Sequence, residues 1–528
     1  MSIYVAPGVY VKETDVSDIV PNLSTTVAAL VGYSAKGGVG TEPLLITSGQ
    51  QFIEEYGEPV LGQYFHYSAL AFLQNGNRLY CKRVHNGALY GGASIAKTGG
   101  TNYSFVTGTS VATFSVDSNY PDSLFQVFGK DPGTWNNDLR VGIVASNPTD
   151  YEFKIVVYQA NSDGDYIEVE SWDVSRKVQK DGYGNQQYLE TKINGFSKYI
   201  VVADNTAEAD TVFPVYAAAV DLASGSNGNA VADADVNLGW DTFANPDNID
   251  VRILINGGYT SVTVQLKMKT IAEARKDCVA VLDMPYAQLG SVADMVTWKS
   301  STQNFNSSYT ALYAPWCKIQ DDFNDKVVEV PPSGYVASQY AYNDNVGETW
   351  LAPAGFNRGV LNVLGFTNVF TSGERESLYE VGINPCQMFR GRGSVIWGQK
   401  TQQTKASALD RVNVRRLLIV IEKVGSNFLQ NYLFEANNTT TRFRITAGFD
   451  EYLGQLAAGG AFQQESGDRG YMVQCDEDNN TPAVIDRNEL QVNLFVKPVR
   501  MAEYIQLRVV VTSTGASFDE LVSRGTLF

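Results

Sequence analysis

The stretch NIDVRILINGGYTSVTVQLKMKTIAEARKDCVAVLDMP (248–285) decides the fold of the centre of the chain. NIDVRILING (248–257) has the apolar, β-branched composition of a buried strand, and TVQLKMKTIAEARKD (263–277) is typical of an amphipathic helix. CVAVLDMP (278–285) predicts a second buried strand. The residues that follow, up to 320, predict one further helix and one further strand. Strands that alternate with helices of this length predict parallel βαβ units.

Residues 23–91 show a similar mixed pattern, and we expect them to join 220–350 in one α/β middle domain. Ser48 is a good N-cap for a short helix that Gly57 would end. RLYCKRV (78–84) predicts a strand that follows the next helix.

The sequence pattern changes in residues 92–219, where short β-type runs are separated by turn residues such as Asp-Gly and Asn-Pro. The runs are SFVTG, VATFSV, LFQVFG, RVGIVAS, EFKIVVYQ and YIEVESWDV. Strands at this spacing predict an all-β insertion. Its turn-rich composition suggests an exposed, outer position.

Residues 351–512 predict an inner α+β domain, and 513–528 a polar C-terminal tail. ESLYEVGI and ALDRVNVRRLLIVIEKVGSNFLQNYLF are predicted helices. ELQVNLFVKP (489–498) and AEYIQLRVVVT (502–512) are predicted strands. The whole chain is therefore expected to be a multidomain protein with α/β and α+β parts.

Composition excludes several functional classes. The net charge of −17 argues against binding nucleic acid, which needs clustered Lys and Arg. Five scattered cysteines without a CxxC motif indicate neither a disulfide framework nor a zinc site, and favour folding in a reducing cytoplasm. No apolar run reaches the ~18–20 residues that cross a bilayer, and no secretory signal is expected.

Catalytic motifs are missing from the sequence. HExxH, GxSxG, GxxxxGK[ST] and GxGxxG do not occur, and His66 and His85 are the only histidines. Asp476, Asp478 and Asn480 match the start of a calcium loop, but its later positions are wrong. A second acidic group at 321–325 is better explained as a solvated turn. We therefore predict no catalytic residue, cofactor or metal, although a spatial pair of carboxylates for glycoside hydrolysis stays open.

Arg411, Arg415 and Arg416 form a basic stretch in an acidic chain, with Arg390 and Arg392 nearby in sequence. One interpretation is a helix face whose charges pair with surrounding acids. The other is a contact with an acidic protein surface.

The N-terminal stretch MSIYVAPGVYVKETDVSDIV alternates like a strand through Ile3, Val5, Val9 and Val11, yet no hairpin partner follows it. Pro7 removes one backbone donor, which suits an edge strand. A strand-like arm without a local partner indicates pairing with a distant segment or with another chain.

Several blocks, in order, resemble the tail sheath proteins of contractile-tailed bacteriophages, in particular the T-even-like branch. The blocks are APGVYVKE, VPPSGYVASQYAYNDNVGETWLAPAGFNRGVL (330–361), GINPCQMFRGRGSVIWGQKT (382–401), DRVNVRRLL, LFEANN and NNTPAVIDRNELQVNLFVKPVRMAEYIQLRVVVTSTGASFDEL (479–521). The resemblance covers roughly 1–90 and 235–525. Residues 92–219 match nothing that can be placed.

The resemblance implies a structural protein and no enzyme. Sheaths of this family stack as hexameric rings around a tail tube in a metastable extended state, and contract to drive the tube through the host envelope. The implied partners are other copies of the chain, the tail tube protein, and the baseplate and tail terminator proteins, without nucleic acid or membrane insertion. The implied location is the virion, after assembly in the host cytoplasm. Alternatives are the sheath of a related injection system (a bacteriocin particle or a secretion system) and, more remotely, an enzyme built on the βαβ core.

The resemblance also implies that both terminal arms add strands to neighbouring subunits. Residues 3–12 would be the donated N-terminal strand, with 1–22 as arm and linker. At the other end 503–512 would be donated, through Ile505, Leu507, Val509 and Val511. The inner domain, including 489–497, would accept them and face the tube, with Arg411, Arg415 and Arg416 as candidate contacts to tube or neighbour. The alternative is that both strands pair within their own chain.

Overall fold

The structure, a computed structural model, describes residues 26–104, 116, 119–147, 151–161 and 163–506. The predicted N-terminal arm 1–22, with Ile3, Val5, Val9 and Val11, lies outside the described residues. So do the tail 513–528 and most of the predicted C-terminal strand.

The described residues contain both strands and helices. In chain order, the strands are β1 (Val27–Tyr33), β2 (Leu44–Ile46), β3 (Arg78–Val84), β4 (Gly92–Ala96), β5 (Tyr103–Ser104), β6 (Ser123–Gly129), β7 (Leu139–Ala145), β8 (Glu152–Ala160), β9 (Tyr166–Ser175), β10 (Ile200–Asp204), β11 (Ala217–Asp221), β12 (Ile253–Ile255), β13 (Val279–Asp283), β14 (Thr310–Ala314), β15 (Cys317–Asp321), β16 (Lys326–Val330), β17 (Val360–Leu361), β18 (Gly365–Phe366), β19 (Ile383–Phe389), β20 (Gly393–Ile396), β21 (Tyr471–Gln474) and β22 (Asn493–Val496). The α-helices are α1 (Gly49–Tyr56), α2 (Tyr64–Phe72), α3 (Leu189–Ile193), α4 (Asp233–Asp241), α5 (Val262–Arg275), α6 (Val292–Thr297), α7 (Ser333–Val346), α8 (Gly355–Arg358), α9 (Ser372–Glu380), α10 (Val412–Gln430), α11 (Thr439–Ala458) and α12 (Pro482–Ile485).

A nine-stranded sheet forms the centre, in the order β17-β20-β19-β14-β13-β12-β1-β3-β2. The six strands from β19 to β3 are parallel, and antiparallel strands complete both edges. The parallel βαβ prediction from 248–320 is thereby confirmed.

Helices cover both faces of this sheet, which is why its strands are apolar on both sides. Along β1, Ala28 and Leu30 belong to one core, which helices α1, α2 and α7 complete. Val27, Ala29 and Val31 belong to the opposite core, with α4, α5 and α6. The predicted caps of α1 are confirmed: the Ser48 hydroxyl accepts from the Gln51 amide at 3.2 Å, and Gly57 has a φ of 86°.

Residues 92–219 fold mainly as β-structure. Two four-stranded sheets, β10-β6-β4-β5 and β11-β7-β8-β9, enclose their own core, in which Phe125 stacks on Phe153. The predicted strands LFQVFG, RVGIVAS, EFKIVVYQ and YIEVESWDV are confirmed. Most of SFVTG and VATFSV lies outside the described residues. The region also contains the short helix α3, so the described part is β-rich rather than all-β.

The predicted inner domain 351–512 does not begin at a break in the fold. Residues of β17, β19 and β20 lie in the nine-stranded sheet, where β19 pairs in parallel with β14. The expected helix ESLYEVGI also ends early, at Glu380, because Gly382 takes a φ of 83° and Ile383 opens β19. The physical reason is that an apolar strand after a short helix completes a further βαβ unit.

Beyond this sheet, α10 and α11 pack on each other and on β21 and β22. The rings of Phe428 and Phe449 meet edge to face at 5.1 Å. A Cβ on Gly448 would lie 2.4 Å from the Phe428 ring, so only glycine permits this approach. No helix in the described part of the chain is long and apolar enough to cross a membrane.

Candidate subunit-connecting site

A two-stranded antiparallel sheet, β21–β22, lies against α10 and α11. Val473 pairs with Leu494, and both pack on the helices, while Met472 and Phe495 are about half exposed on the other face. Among the described residues neither strand has a partner on its outer side. Two strands alone are marginally stable in water, and open edges present unpaired donors and acceptors to another strand. The expected strand 489–498 is shorter than predicted, at 493–496.

Two adjacent asparagines fix one end of this sheet, where β21 ends and β22 begins. Asn479 Nδ2 donates to the carbonyls of Gln474 and Gln491 at 2.9 and 3.0 Å. Asn480, which is buried, accepts from the Gln491 amide at 2.8 Å. The Asp476 carboxylate accepts backbone amides of its own turn. The residues that resembled a calcium loop therefore connect and shape the two strands.

An apolar cleft of about 540 Å³ runs beside β22. Its lining includes Leu429 of α10, Leu433 just beyond that helix, Phe449 of α11, and Val492 and Leu494. A strand that paired with the β22 edge would have space there for apolar side chains.

Glu503 anchors the last described segment of the chain. Its carboxylate accepts from Arg411 Nε at 2.7 Å and Nη2 at 3.0 Å, a bidentate pair. Tyr379 Oη donates at 3.0 Å and Gln399 Nε2 at 3.1 Å. We call Glu503, Arg411, Tyr379 and Gln399 the Glu503 anchor. Four donors on one carboxylate hold this segment against its own domain.

Burial makes this anchor electrostatically stronger than a surface pair. The Glu503 and Arg411 side chains are 18% and 24% exposed. Burial alone would lower the pKa of Arg411, but its hydrogen bonds to Glu503 raise the pKa above the ordinary value. Burial, with the Glu503 carboxylate next in effect, raises the pKa of Tyr379, so its hydroxyl remains a donor.

Comparison with known proteins divides the described chain between the central sheet and the helices α10 and α11. The family model for the phage tail sheath protein central domain matches residues 229–402, and that for the phage tail sheath C-terminal domain matches 404–512. The tail sheath protein of Enterobacteria phage T4 is 34% identical over 371 residues, which is 66% of this chain and 54% of that protein.

The chain belongs to the phage tail sheath family.

Solved structures show the same fold at low sequence identity. The sheath tail protein of Listeria innocua aligns with a TM-score of 0.58 at 11% identity, over 87% of this chain and 90% of that one. The PVC sheath of an extracellular contractile injection system, in its contracted state, aligns with 0.55 at 17% identity, over 97% and 98%. The chain spans about half the length of the curated phage relatives that it matches. The two family models meet at 402–404, some fifty residues beyond the boundary at 351 expected from sequence.

Within this family member, two of the three predicted contact arginines are buried. Arg415 and Arg416 are each 5% exposed. Arg416 pairs with Asp344, and Arg415 donates to Tyr309 Oη at 3.2 Å and lies on its ring. The structure agrees with the interpretation of helix charges that pair within the chain, because a surface contact would first have to break this burial.

The predicted C-terminal strand is only partly described. Ile505 is 86% exposed and has no strand partner among the described residues, and Leu507, Val509 and Val511 lie outside them.

Other residues considered for chemistry have structural roles. His66 is buried against the Tyr56 carbonyl at 3.2 Å, and burial lowers its pKa to about 4. Asp321 accepts from Tyr67 Oη at 2.6 Å and shapes the turn before β16. The five cysteines are all buried and free. Within the described ranges no group of three or more His, Cys, Asp or Glu could hold a metal.

Sequence reasoning missed Glu503, Tyr379 and Gln399. Glu503 lies inside an alternating apolar run, 92 residues from Arg411. The one available signal was charge: an acid in a predicted apolar strand needs a cation.

Proposed function

We propose that this chain is the subunit of a contractile tail sheath, which polymerises as stacked hexameric rings around a tail tube. The observation that carries the proposal is the small sheet β21–β22, whose outer edges lack partners among the described residues. A protein of this family that leaves such edges beside an apolar cleft is suited to receive strands from other copies.

Strand addition would join the subunits through the two arms. Residues 3–12 and 503–512 would be the donated strands, and the sheet that includes 489–497 would accept them. At roughly 0.5–1.5 kcal/mol net per hydrogen bond, a strand with about four bonds contributes a few kcal/mol. Two arms per subunit, repeated through every ring, make a mesh whose links reinforce one another.

The Glu503 anchor supports a defined role for the C-terminal arm. It fastens residue 503 to its own domain, so that the proposed strand would start at a fixed point. The N-terminal arm would differ, since 13–22 is available as a linker that bends when subunits re-pack.

Contraction requires energy, and we infer that assembly stores it. The extended array would be the less stable of two packings and would persist kinetically until a baseplate signal releases it. The tube would then be driven through the host envelope for genome ejection. On this proposal the chain is a virion component without enzymatic activity, assembled in the host cytoplasm with tube, baseplate and terminator proteins.

Deletion of residues 1–12 tests the proposal. Purified full-length chain should form long, striated, hollow tubes in negative-stain electron microscopy, and the truncated chain should not. Deletion of 513–528, outside the proposed strand, is the matched control and should leave tubes intact. Long tubes from the chain that lacks 1–12 would show that this arm is not the connector.

A second candidate is the sheath of a related contractile injection system, which the structural likeness to the PVC sheath favours. Neighbouring genes distinguish the two, because capsid and terminase genes should accompany a phage sheath. A soluble monomer that never assembles would instead revive the enzyme alternative.

A further inference from the structure

The β19–β20 hairpin extends a basic tip beyond the central sheet. β14 pairs with β19 only over Ile383–Pro385, whereas the hairpin continues to the pair Phe389–Gly393. Arg390 and Arg392 lie in the turn and are exposed. The edge beside the hairpin is only the two-residue strand β17.

Three aromatic rings support this tip. Phe389 lies 4.6 Å from Trp397 and 5.2 Å from Phe356, and Phe356 lies 5.1 Å from Trp397, between ring centroids. The Arg392 guanidinium lies 4.6 Å from the Phe356 centroid, and that of Arg375 lies 5.8 Å from Phe389. We call these five residues, with Arg390, the arginine–aromatic cluster.

The cluster's cations lack acidic partners in the described part of the chain. Arg375, Arg390 and Arg392 form no ion pair there, whereas Arg411 and Arg416 are paired. Arg375 donates one bond to the Phe370 carbonyl at 2.9 Å. A guanidinium that stacks on a ring keeps its N–H edge available for a carboxylate, and stacking reduces the rotamer freedom lost on binding.

We propose that the arginine–aromatic cluster is a docking surface for carboxylates on a second copy of this chain. The charge balance favours this partner, because the chain has a net charge of −17 and therefore offers acidic surface in every neighbour. The turn 476–478, three consecutive exposed acids, is one such surface. Its Glu477 lies 3.9 Å from Arg442 of the same chain but is 83% exposed, so a second cation can reach it. Trp397, 39% exposed, would add apolar area at the same contact.

This contact rests on the proposed self-assembly but differs from the strand-exchange arms in its residues and its chemistry. It would join the β19–β20 hairpin to a neighbouring subunit through ion pairs, so the contact should weaken as salt increases. The arms join subunits by main-chain hydrogen bonds, which salt affects much less.

The test is the charge reversal Arg390→Glu/Arg392→Glu in the full-length chain. Sedimentation velocity follows soluble association, and electron microscopy follows tubes, both at about 50 and 500 mM salt. We expect the concentration for half-association to rise about tenfold at low salt, with little difference at high salt. The neutral variant Arg390→Gln/Arg392→Gln should show a smaller rise in the same direction.

Lys177→Glu/Lys180→Glu is the matched control, since it makes the same charge change at exposed positions of the β-rich insertion. It should associate like the wild type. Association unchanged by both arginine variants, with the wild type forming tubes, would overturn the docking surface and leave the sheath proposal intact. Variants that assemble normally but lose binding to purified tail tube protein would also overturn it. A wild-type chain that does not associate at any concentration would overturn both proposals.

Discussion

Replacement of Glu503 by Gln should free the segment 501–506 from its own domain. The carboxylate accepts four hydrogen bonds, two of them from the Arg411 guanidinium. The amide keeps the shape of Glu503 but loses the charge, and turns an NH₂ group towards donors. Hydrogen bonds to charged groups are worth ~1.5–3 kcal/mol each, but the four act as one unit, so we expect a loss of ~2 kcal/mol in docking.

That loss corresponds to about a thirty-fold increase in the undocked fraction of the segment. Native-state trypsin digestion measures it, because Arg500 immediately precedes the anchored segment and is exposed. When opening is fast relative to cleavage, the cleavage rate after Arg500 follows the undocked fraction. The rate should therefore rise about thirty-fold in Glu503→Gln.

Cleavage after Arg469, an exposed loop residue remote from the Glu503 anchor in sequence, provides the internal control and should not change. Tyr379→Phe removes one of the four donors and should give an intermediate rate. Equal rates after Arg500 in wild type and Glu503→Gln would refute the reasoning, because the anchor would then contribute nothing to the docking of this segment.

Three further predictions concern the fold. His66→Gln should reduce the loss of stability in acid. The His66 pKa of about 4 lies below the unfolded value of 6.5, so the unfolded state binds the proton first and the free energy of unfolding falls as pH drops. Between pH 7 and 4, denaturant unfolding should show a loss that is ~3 kcal/mol larger in wild type than in the variant. Gly334→Ala should destabilise the fold by ~2 kcal/mol, because the new Cβ would lie 2.6 Å from the backbone of α2. Gly373→Ala, whose Cβ would have no atom within 4 Å, should stabilise it by ~0.5 kcal/mol. Thermal unfolding measures both variants, and equal effects would contradict the packing argument. Arg416→Met should lower the free energy of unfolding by ~3–5 kcal/mol at any salt concentration, because it removes the cation that compensates the buried Asp344 side chain. A strong salt dependence of this loss in denaturant unfolding would argue for a surface role of Arg416 instead.

Local patterns predicted much of the central fold. The strand and helix of 248–277 follow from apolar runs and a helical period, and Ser48 and Gly57 mark the helix ends through their own backbone chemistry. These features depend on near neighbours in sequence, so local sequence alone indicates them. Family membership was likewise indicated by sequence blocks in order, which the family models confirm.

Local patterns were insufficient where a residue's strand or ion-pair partner lies far away in sequence. ESLYEVGI is locally helical, yet Ile383 and the residues after it pair with β14. For Arg415 and Arg416 the sequence left two interpretations open, because their partners, Tyr309 and Asp344, are far away in sequence. Periodicity contains no information about which remote acid or ring a cation will meet.

The sequence by itself determined the alternation of strands and helices, the absence of the searched catalytic motifs and the family. Only the tertiary structure decided that the β19–β20 hairpin belongs to the central sheet and that β21–β22 leaves its edges open within the described residues. It also decided that Glu503 is anchored by Arg411, 92 residues away. The physical reason is that hydrogen-bond and ion-pair partners are selected by how elements pack, and packing brings together residues whose separation in sequence has no pattern.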